Sequence, residues 1–446
     1  MEDRLYQWFK VRQSELGLVL VLGFILFSNY AAMGITKVIS VSGFLSQVKE
    51  HYILLVWAVD MVLLILASGL QSLIIDRFNR IKLLTGVLLI FALLYAGLPI
   101  LFNLPFIPTQ INYALVYLLN DQQWRFFPVL FWILVNDLFD PAKGRRLQPA
   151  IANFAFVGTI CGLGIAALDA RVNFGTISLL LVNSAIFLTA CVLATLGLRQ
   201  VKLQKAKATG KSMQEVMTEG WLFIKKVPAF SHLSLMMLIA GTVMTVLLYH
   251  TLASAKQTLG DGFQSFYAWY NLAIALASIL VQSQSSWLIE KISLKRTFWI
   301  QPCIMLAATV SSLVLPNLLA SIAIGQGAAR TSYDTVDVSA RKAFQAFVPD
   351  ARRGRVSMFI DSYLPCLGTI IGSLVVFTII VIGLQLNQPS QVYASVYLAV
   401  AIAILIVALI TVQGFQKVYD SSLLNWQLKR RQRGVGLFSK FFDKEE

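Results

Sequence analysis

Charge is scarce in this sequence. Only 13% of its 446 residues are Asp, Glu, Lys or Arg, where a soluble domain uses roughly 25% to solvate its surface. Water is therefore excluded as the main solvent of the folded chain. Cysteine is rarer still. Cys161, Cys191, Cys303 and Cys366 all fall in apolar runs without paired or metal-ligand spacing, which excludes a disulfide framework and a zinc site and leaves them as small buried hydrophobes. There is no phosphate-cradling glycine loop, HExxH, CxxC array or nucleophile elbow, so nothing supports an enzyme, and no cofactor or metal is expected. Short alternating strands are missing, which argues against a membrane barrel. The first residues, MEDRLYQWFK, are too polar for a cleaved signal sequence.

What is abundant is apolar length. Hydrophobic residues make up 57% of the chain, mean hydropathy is +0.71, and the apolar runs have the ~20–25 residues that cross a bilayer about 30 Å thick. The pattern predicts an all-α polytopic membrane protein with twelve transmembrane helices. Six lie in 16–198, at about 16–39, 52–75, up to 103, 109–139, 147–168 and up to 198. Six more lie in 229–416, at about 229–254, 264–288, 296–316, 317–345, 355–384 and 391–416. Residues 1–15 carry Leu5, Trp8 and Phe9 on one helical face and read as an interfacial helix. The polar stretch 199–228 reads as a linker, with Met213, Val216, Met217 and Leu222 or Ile224 forming the apolar stripe of a surface helix resting on anionic lipid. Residues 417–446 form a basic tail with Lys429-Arg430-Arg431 and a second interfacial segment, LFSKFF.

The net charge of +15 is of the sign that nucleic acid attracts, but its placement points to orientation instead. Of 37 Lys and Arg, 31 fall in alternate connections on one side; three (Lys49, Arg171, Lys256) fall on the other, and Lys37, Arg125 and Arg330 lie in or at the ends of spans. Such asymmetry is the positive-inside signal, so both termini and the linker are expected to be cytoplasmic, in a bacterial inner membrane or an organelle membrane. No nucleic acid partner is expected, and the oligomeric state is left open.

The charges inside spans are the candidate site. Arg330, Asp334, Asp337 and Arg341 recur at helical spacing, which in an unbroken α-helix puts all four on one face. A lipid-facing charge at mid-membrane costs about 2.5–3.5 kcal/mol on insertion scales, so the stripe should face a bundle interior or a wet cavity. It is either a lock between two helices or a polar site beside a solute pathway. Phosphates favour Arg and Lys in fixed geometry. Lys37, Arg125 and Arg330 are the deep cations and Asp60, Asp121 and Asp334 the deep acids; these six either bind substrate or neutralise one another. Tyr267, Trp269 and Tyr270 are candidate stackers for a flat ring, or lipid-belt aromatics. Asp60, isolated in an apolar run, must be paired, with Lys37 as one candidate partner, or protonated, which keeps proton coupling open. His250 reads as a hydrogen-bonded structural histidine.

The two halves match in order. Asp76-Arg77-Phe78-Asn79-Arg80-Ile81-Lys82 after span two has a counterpart in Glu290-Lys291-Ile292-Ser293-Leu294-Lys295-Arg296 after span eight. Asp137 and Asp140 with Lys143 after them echo Asp334 and Asp337 with Arg341 after them. Two six-helix repeats around a central linker describe a rocking transporter with its site near the midplane. The turn at Asp76–Lys82 resembles the signature loop between spans two and three of the major facilitator superfamily, with Ser72 and Asn79 standing for its two glycines and Ile81 for one of its bases. Acids at such turns can pair with bases of the other half and close the inward side. The candidate cytoplasmic gate is Asp76, Arg77, Arg80, Asp137, Asp140, Lys143, Glu290, Lys291, Asp337, Arg341, Arg353 and Asp361.

A second resemblance covers nearly the whole chain. Phe131-Trp132…Asn136-Asp137, the adjoining DPAKGRRLQP, the run from Ser332 to Asp361 with Gly354 and Asp361, and Lys37 in GITKVIS are similar to the plastid-type ATP/ADP translocase family, a branch of the same superfamily. In place of that family's Lys-Glu at the end of span ten stands Arg341-Lys342. The resemblance implies a major facilitator fold and an antiporter that binds ATP or ADP. The expected function is alternating-access transport of a nucleotide or other organic phosphate or anion. A phospholipid or lysophospholipid carrier and a transport-inactive membrane scaffold are the alternatives.

Overall fold

A computed structural model describes residues 12–75, 79–139, 141–172, 174–199, 213–348 and 356–442. Apolar segments surrounded by lipid must satisfy their backbone groups internally, and the described chain is helical almost throughout. In order come α1 (Gln13–Gln47), α2 (Ile53–Ile75), α3 (Arg80–Phe102), α4 (Thr109–Leu138), α5 (Pro141–Val172), α6 (Thr176–Gly197) and the connecting α7 (Met213–Lys226). After it come α8 (Pro228–Leu259), α9 (Phe263–Ile292), α10 (Ile300–Val314), α11 (Leu319–Ser332), α12 (Val338–Gln345), α13 (Leu364–Gln385) and α14 (Ser390–Phe442).

Among the described residues nine stretches are long and apolar enough to cross a membrane, by length and composition. The longest, Pro228–Ile292, contains α8 and α9 in succession. Two further helices are too polar for that count: α4, with its run from Asn120 to Arg125, and the continuous helix from α11 to α12. Twelve spanning helices result, as the hydropathy pattern predicts.

Several boundaries differ from expectation. Most of the interfacial segment 1–15 lies outside the described residues, and α1 already begins at Gln13. The last helix runs on to Phe442 instead of ending near 416, because Lys- and Arg-rich sequence still favours helix once a preceding span has nucleated it. In the connecting helix Ile224 is buried while Leu222 and Trp221 are exposed, so of the two candidates for the end of the stripe Ile224 is the one that packs inward. Cys161 and Cys303 are exposed and Cys191 half-buried, with Cys366 buried. Three of the four therefore correct the expectation of burial: lipid tolerates an outward thiol as readily as a packed one. Asn79, at a glycine position of the signature turn, caps α3; its side-chain oxygen accepts from the backbone N–H of Ile81 and Lys82 at 3.0 and 3.3 Å.

The chain divides into two compact units. One is Met1–Ser212 with Leu252–Leu276; the other is Met213–Thr251 with Ala277–Glu446. In the first unit α1 and α5 make the most extensive helix pair. Glycine permits it: a Cβ at Gly162 would sit 2.1 Å from the Ala31 carbonyl oxygen, and one at Gly158 2.5 Å from that of Phe27. Backbones this close gain the dispersion energy that drives helix association in lipid, where the hydrophobic effect is absent. In the second unit α8 and α13 cross the same way, with Gly241 against the Pro365 carbonyl, Gly368 against that of Leu238 and Gly372 against that of Thr242. Its other packing centre is aromatic. Phe344 of α12 meets Phe230 (centroids 4.7 Å), Phe415 (5.3 Å) and Tyr419 (5.7 Å), tying α8, α12 and α14 together.

Candidate functional site

Among the described residues, two clusters of charged and polar side chains stand out in the membrane-spanning helices, one in each unit. In the first, Asp60 of α2 is fully buried, and its Oδ1 accepts from Nε2 of Gln122 on α4 at 3.1 Å. The carboxyl of Asp121 lies beside it, and Arg125, one turn further along α4, acts on it electrostatically. The Arg125 guanidinium stands 4.6 Å from the ring centroid of Trp124. Sequence offers Lys37 as a partner for Asp60; the structure supplies Gln122 instead, because α2 packs on α4 and brings Gln122 level with it. Lys37 itself is half-buried on α1.

Beside this cluster runs an uncharged network that a search for charges misses. The Tyr95 hydroxyl donates to Gln123 Oε1 (2.6 Å), and Gln123 Nε2 donates to the carbonyl (2.9 Å) and side-chain oxygen (3.1 Å) of Asn29. Thr36 donates to the Tyr95 oxygen and receives from Asn183 Nδ2 at 2.7 Å. Four helices, α1, α3, α4 and α6, are joined by it. The available signal was the neighbouring pair Gln122-Gln123: one amide turns to Asp60, the other to the network.

The second cluster corrects the four-charge stripe. A π-helical turn, Tyr333–Asp337, interrupts the helix between α11 and α12. Its extra residue rotates α12 about the helix axis relative to α11, so the charges separate into two pairs. Arg330 Nε donates to Asp334 at 3.3 Å in a partly exposed pair. Asp337 and Arg341 are buried, with Arg341 Nε donating to Asp337 Oδ2 at 2.8 Å. Arg341 Nη1 also reaches Asp361 Oδ1 at 2.7 Å, and its guanidinium stacks 5.2 Å from the Tyr333 ring. Asp361 sits on a second π-helical turn, Phe359–Tyr363, and accepts on Oδ2 from Lys342 (2.6 Å) and Gln345 (3.0 Å). π-turns inside helices tend to mark functional sites, and here both carry acids of one network. Behind Asp337 lies a small cavity lined by Met236, Met237, Gln301 and Met305 among others.

The remaining expected site residues are more dispersed. Tyr267 stacks on Phe263 and Tyr270 on Phe266, one helical turn away in each case. Of the gate residues, Asp76, Arg77, Asp140 and Arg353 lie outside the described residues. Arg80 pairs with Asp137 inside the first unit. Glu290 and Lys143 are exposed, and Lys291 stands 4.8 Å from the Trp287 ring. In the repeat Leu294 falls at the position of Arg80 and Asp334 at that of Asp137; Asp334 takes Arg330 of its own helix, Lys295 pairs with Asp420 and Asp337 takes Arg341. The sequence repeat is thus not a repeat of pairings: Arg341, four residues on, reaches Asp337 along its own helix. His250 of α8 is hydrogen-bonded through Nδ1 to the Tyr397 hydroxyl at 2.7 Å.

No protein-family model and no curated protein matches the chain. Solved structures do. The nucleoside transporter NupG aligns at TM-score 0.65 and 12% identity, over 90% of this chain and 99% of its own. A bacterial homolog of the human lysosomal transporter Spinster aligns at TM-score 0.62 and 12% identity, over 93% and 99%. A bacterial homologue of the iron transporter ferroportin aligns at 0.61 and 13%, over 91% and 100%. The chain has the major facilitator fold. In major facilitator terms α1–α6 and α8–α14 are the two six-helix repeats, with α11 and α12 forming one span, and α7 belongs to the connection between them. The glycine crossings α1 with α5 and α8 with α13 are then the same crossing made twice, by the first and fifth helix of each repeat.

Proposed function

We propose that this protein is an alternating-access secondary transporter, with both termini on the cytoplasmic side, that moves a nucleotide or related organic phosphate. The observation that carries the reading is Arg125. It lies in the middle of a spanning helix, half-buried, backed by Trp124, with its Nε unpartnered among the described residues. A guanidinium held there at the cost of burial has donors to offer an anion, and an indole beside it offers a flat apolar face to a base. The fold supports the same reading, since transporters of nucleosides and of peptides are among the proteins that share it. Lys37, in the same unit, is the further cation assigned to the anion, and Tyr267 and Tyr270 are the stacking groups.

The test is uptake of labelled ATP and ADP by proteoliposomes containing the full chain. Accumulation above protein-free vesicles is expected, with Arg125→Gln lowering it about tenfold, as loss of a charge-assisted contact worth roughly 1.5 kcal/mol implies. Absence of uptake for both nucleotides would sink the substrate assignment. Translocation of a fluorescent lysophospholipid in its place would establish the lipid-carrier alternative.

A further inference from the structure

The Asp60 cluster bears on what drives the carrier, and the inference rests on the transport reading above. Asp60 is completely buried, and its Oδ2 has no hydrogen-bond partner among the described residues. The neighbouring Asp121 leaves its own buried Oδ2 unpartnered, and Arg125 leaves Nε so. A separate observation comes from Trp57, three residues before Asp60 on the same face of α2. It is 3% exposed, and its indole Nε1 also has no partner among the described residues. Asp60 and Asp121 thus meet between α2 and α4 with one oxygen each unsatisfied, close to an unsatisfied Arg125 Nε, a condition that buried polar groups normally avoid.

The charge count explains it. Two ionised carboxylates side by side repel each other strongly in a low-dielectric site, on top of the cost of removing each from water. One guanidinium balances one of them. The charged groups acting on Asp60 are Asp121 and Arg125, both from α4. Glu50 and His51, in the 3-10 turn that packs on the start of α2, lie more than two helical turns away along the chain. The neutral arrangement is one guanidinium, one carboxylate and one carboxylic acid.

We propose that Asp60 and Asp121 form a proton-binding pair that couples transport to the proton. They hold one proton between them, taken from water and returned to it, with only an O–H bond made and broken. An anion that engages Arg125 withdraws the positive charge from the pair and tightens its hold on the proton. By linkage the proton equally favours the anion, so the two travel together in the same direction.

Infrared difference spectra of the purified full chain give the direct test. At pH 7 a free carboxyl, with a pKa of about 3.9, is almost wholly ionised. The wild-type protein should still show the C=O band of a protonated carboxyl, lost in Asp60→Asn and in Asp121→Asn and kept in Asp169→Asn. Asp121→Asn, at a half-buried position, serves if Asp60→Asn does not fold. No such band in the wild type, or one that survives in both variants, overturns the pair. In proteoliposomes containing a pH-sensitive dye, ATP or ADP uptake should acidify the lumen, and Asp121→Asn should abolish the acidification. Uptake without acidification overturns the coupling while leaving the carrier reading intact. The band without nucleotide uptake supports the pair and overturns the nucleotide assignment instead.

Discussion

Gly162 and Gly164 stand two residues apart on α5, and alanine is expected to act on them with opposite sign. At Gly162 the added Cβ would fall 2.1 Å from the Ala31 carbonyl oxygen and 3.0 Å from the Ala31 Cα. Ordinary C···O contacts lie at about 3.3–3.6 Å, so α1 and α5 must part by roughly 1.2 Å. The obstacle is backbone, which cannot swing aside as a side chain does. Overpacking of this kind costs about 1–3 kcal/mol, and parting the helices also loosens the contacts at Gly34 and Gly158. Alanine returns about 0.8–1.0 kcal/mol of helix propensity, too little to offset the strain. At Gly164 nothing lies within 4 Å of the added Cβ, and only the favourable propensity remains. The two variants should therefore differ by about 1–3 kcal/mol from the steric difference alone, with Gly164→Ala at or above wild type and Gly162→Ala below it. Thermal unfolding in detergent, monitored by tryptophan fluorescence, ranks them. If Gly162→Ala melts at or above Gly164→Ala, the glycine crossing is not what holds the first unit together.

The polar clusters give two further expected outcomes. Arg341→Met leaves Asp337 and Asp361 side by side without their shared cation, and a broken buried pair costs about 3–5 kcal/mol. Detergent-denaturation curves should show that loss, with a milder one for Asp361→Asn, where Arg341 keeps Asp337. Tyr95→Phe deletes the donor to Gln123 Oε1 and the acceptor for Thr36. Thr36 still donates to the Ala32 carbonyl at 2.8 Å, but leaving the buried Gln123 Oε1 unsatisfied should cost about 1–3 kcal/mol in the same measurement, and no change would mean the network contributes nothing.

Twelve membrane-spanning helices in two repeats can be read from the sequence alone, because lipid imposes a length and a polarity on every span and leaves the chain few alternatives. Where charge sits inside a span is equally plain from sequence, since Asp60 stands out against an apolar run and Asp121, Arg125 and Asp337 fall in polar stretches at spanning positions. Which groups meet is decided in three dimensions. A single extra residue in the π-turn Tyr333–Asp337 splits a stripe that regular helical periodicity would keep whole, and periodicity cannot register an insertion that is compensated by hydrogen bonding instead of by sequence. Asp60 finds Gln122 because α2 rests on α4, and helix contact depends on the summed packing of the whole unit, not on either segment. The Tyr95–Gln123–Asn29 network was hidden for the same reason: its members are single uncharged residues on separate helices, each ordinary until packing brings them within hydrogen-bonding distance. Close approach at Gly162 likewise needs Ala31 opposite it. Local chemistry determines that a helix forms and crosses the membrane; only the tertiary fold determines which polar atoms must satisfy one another there.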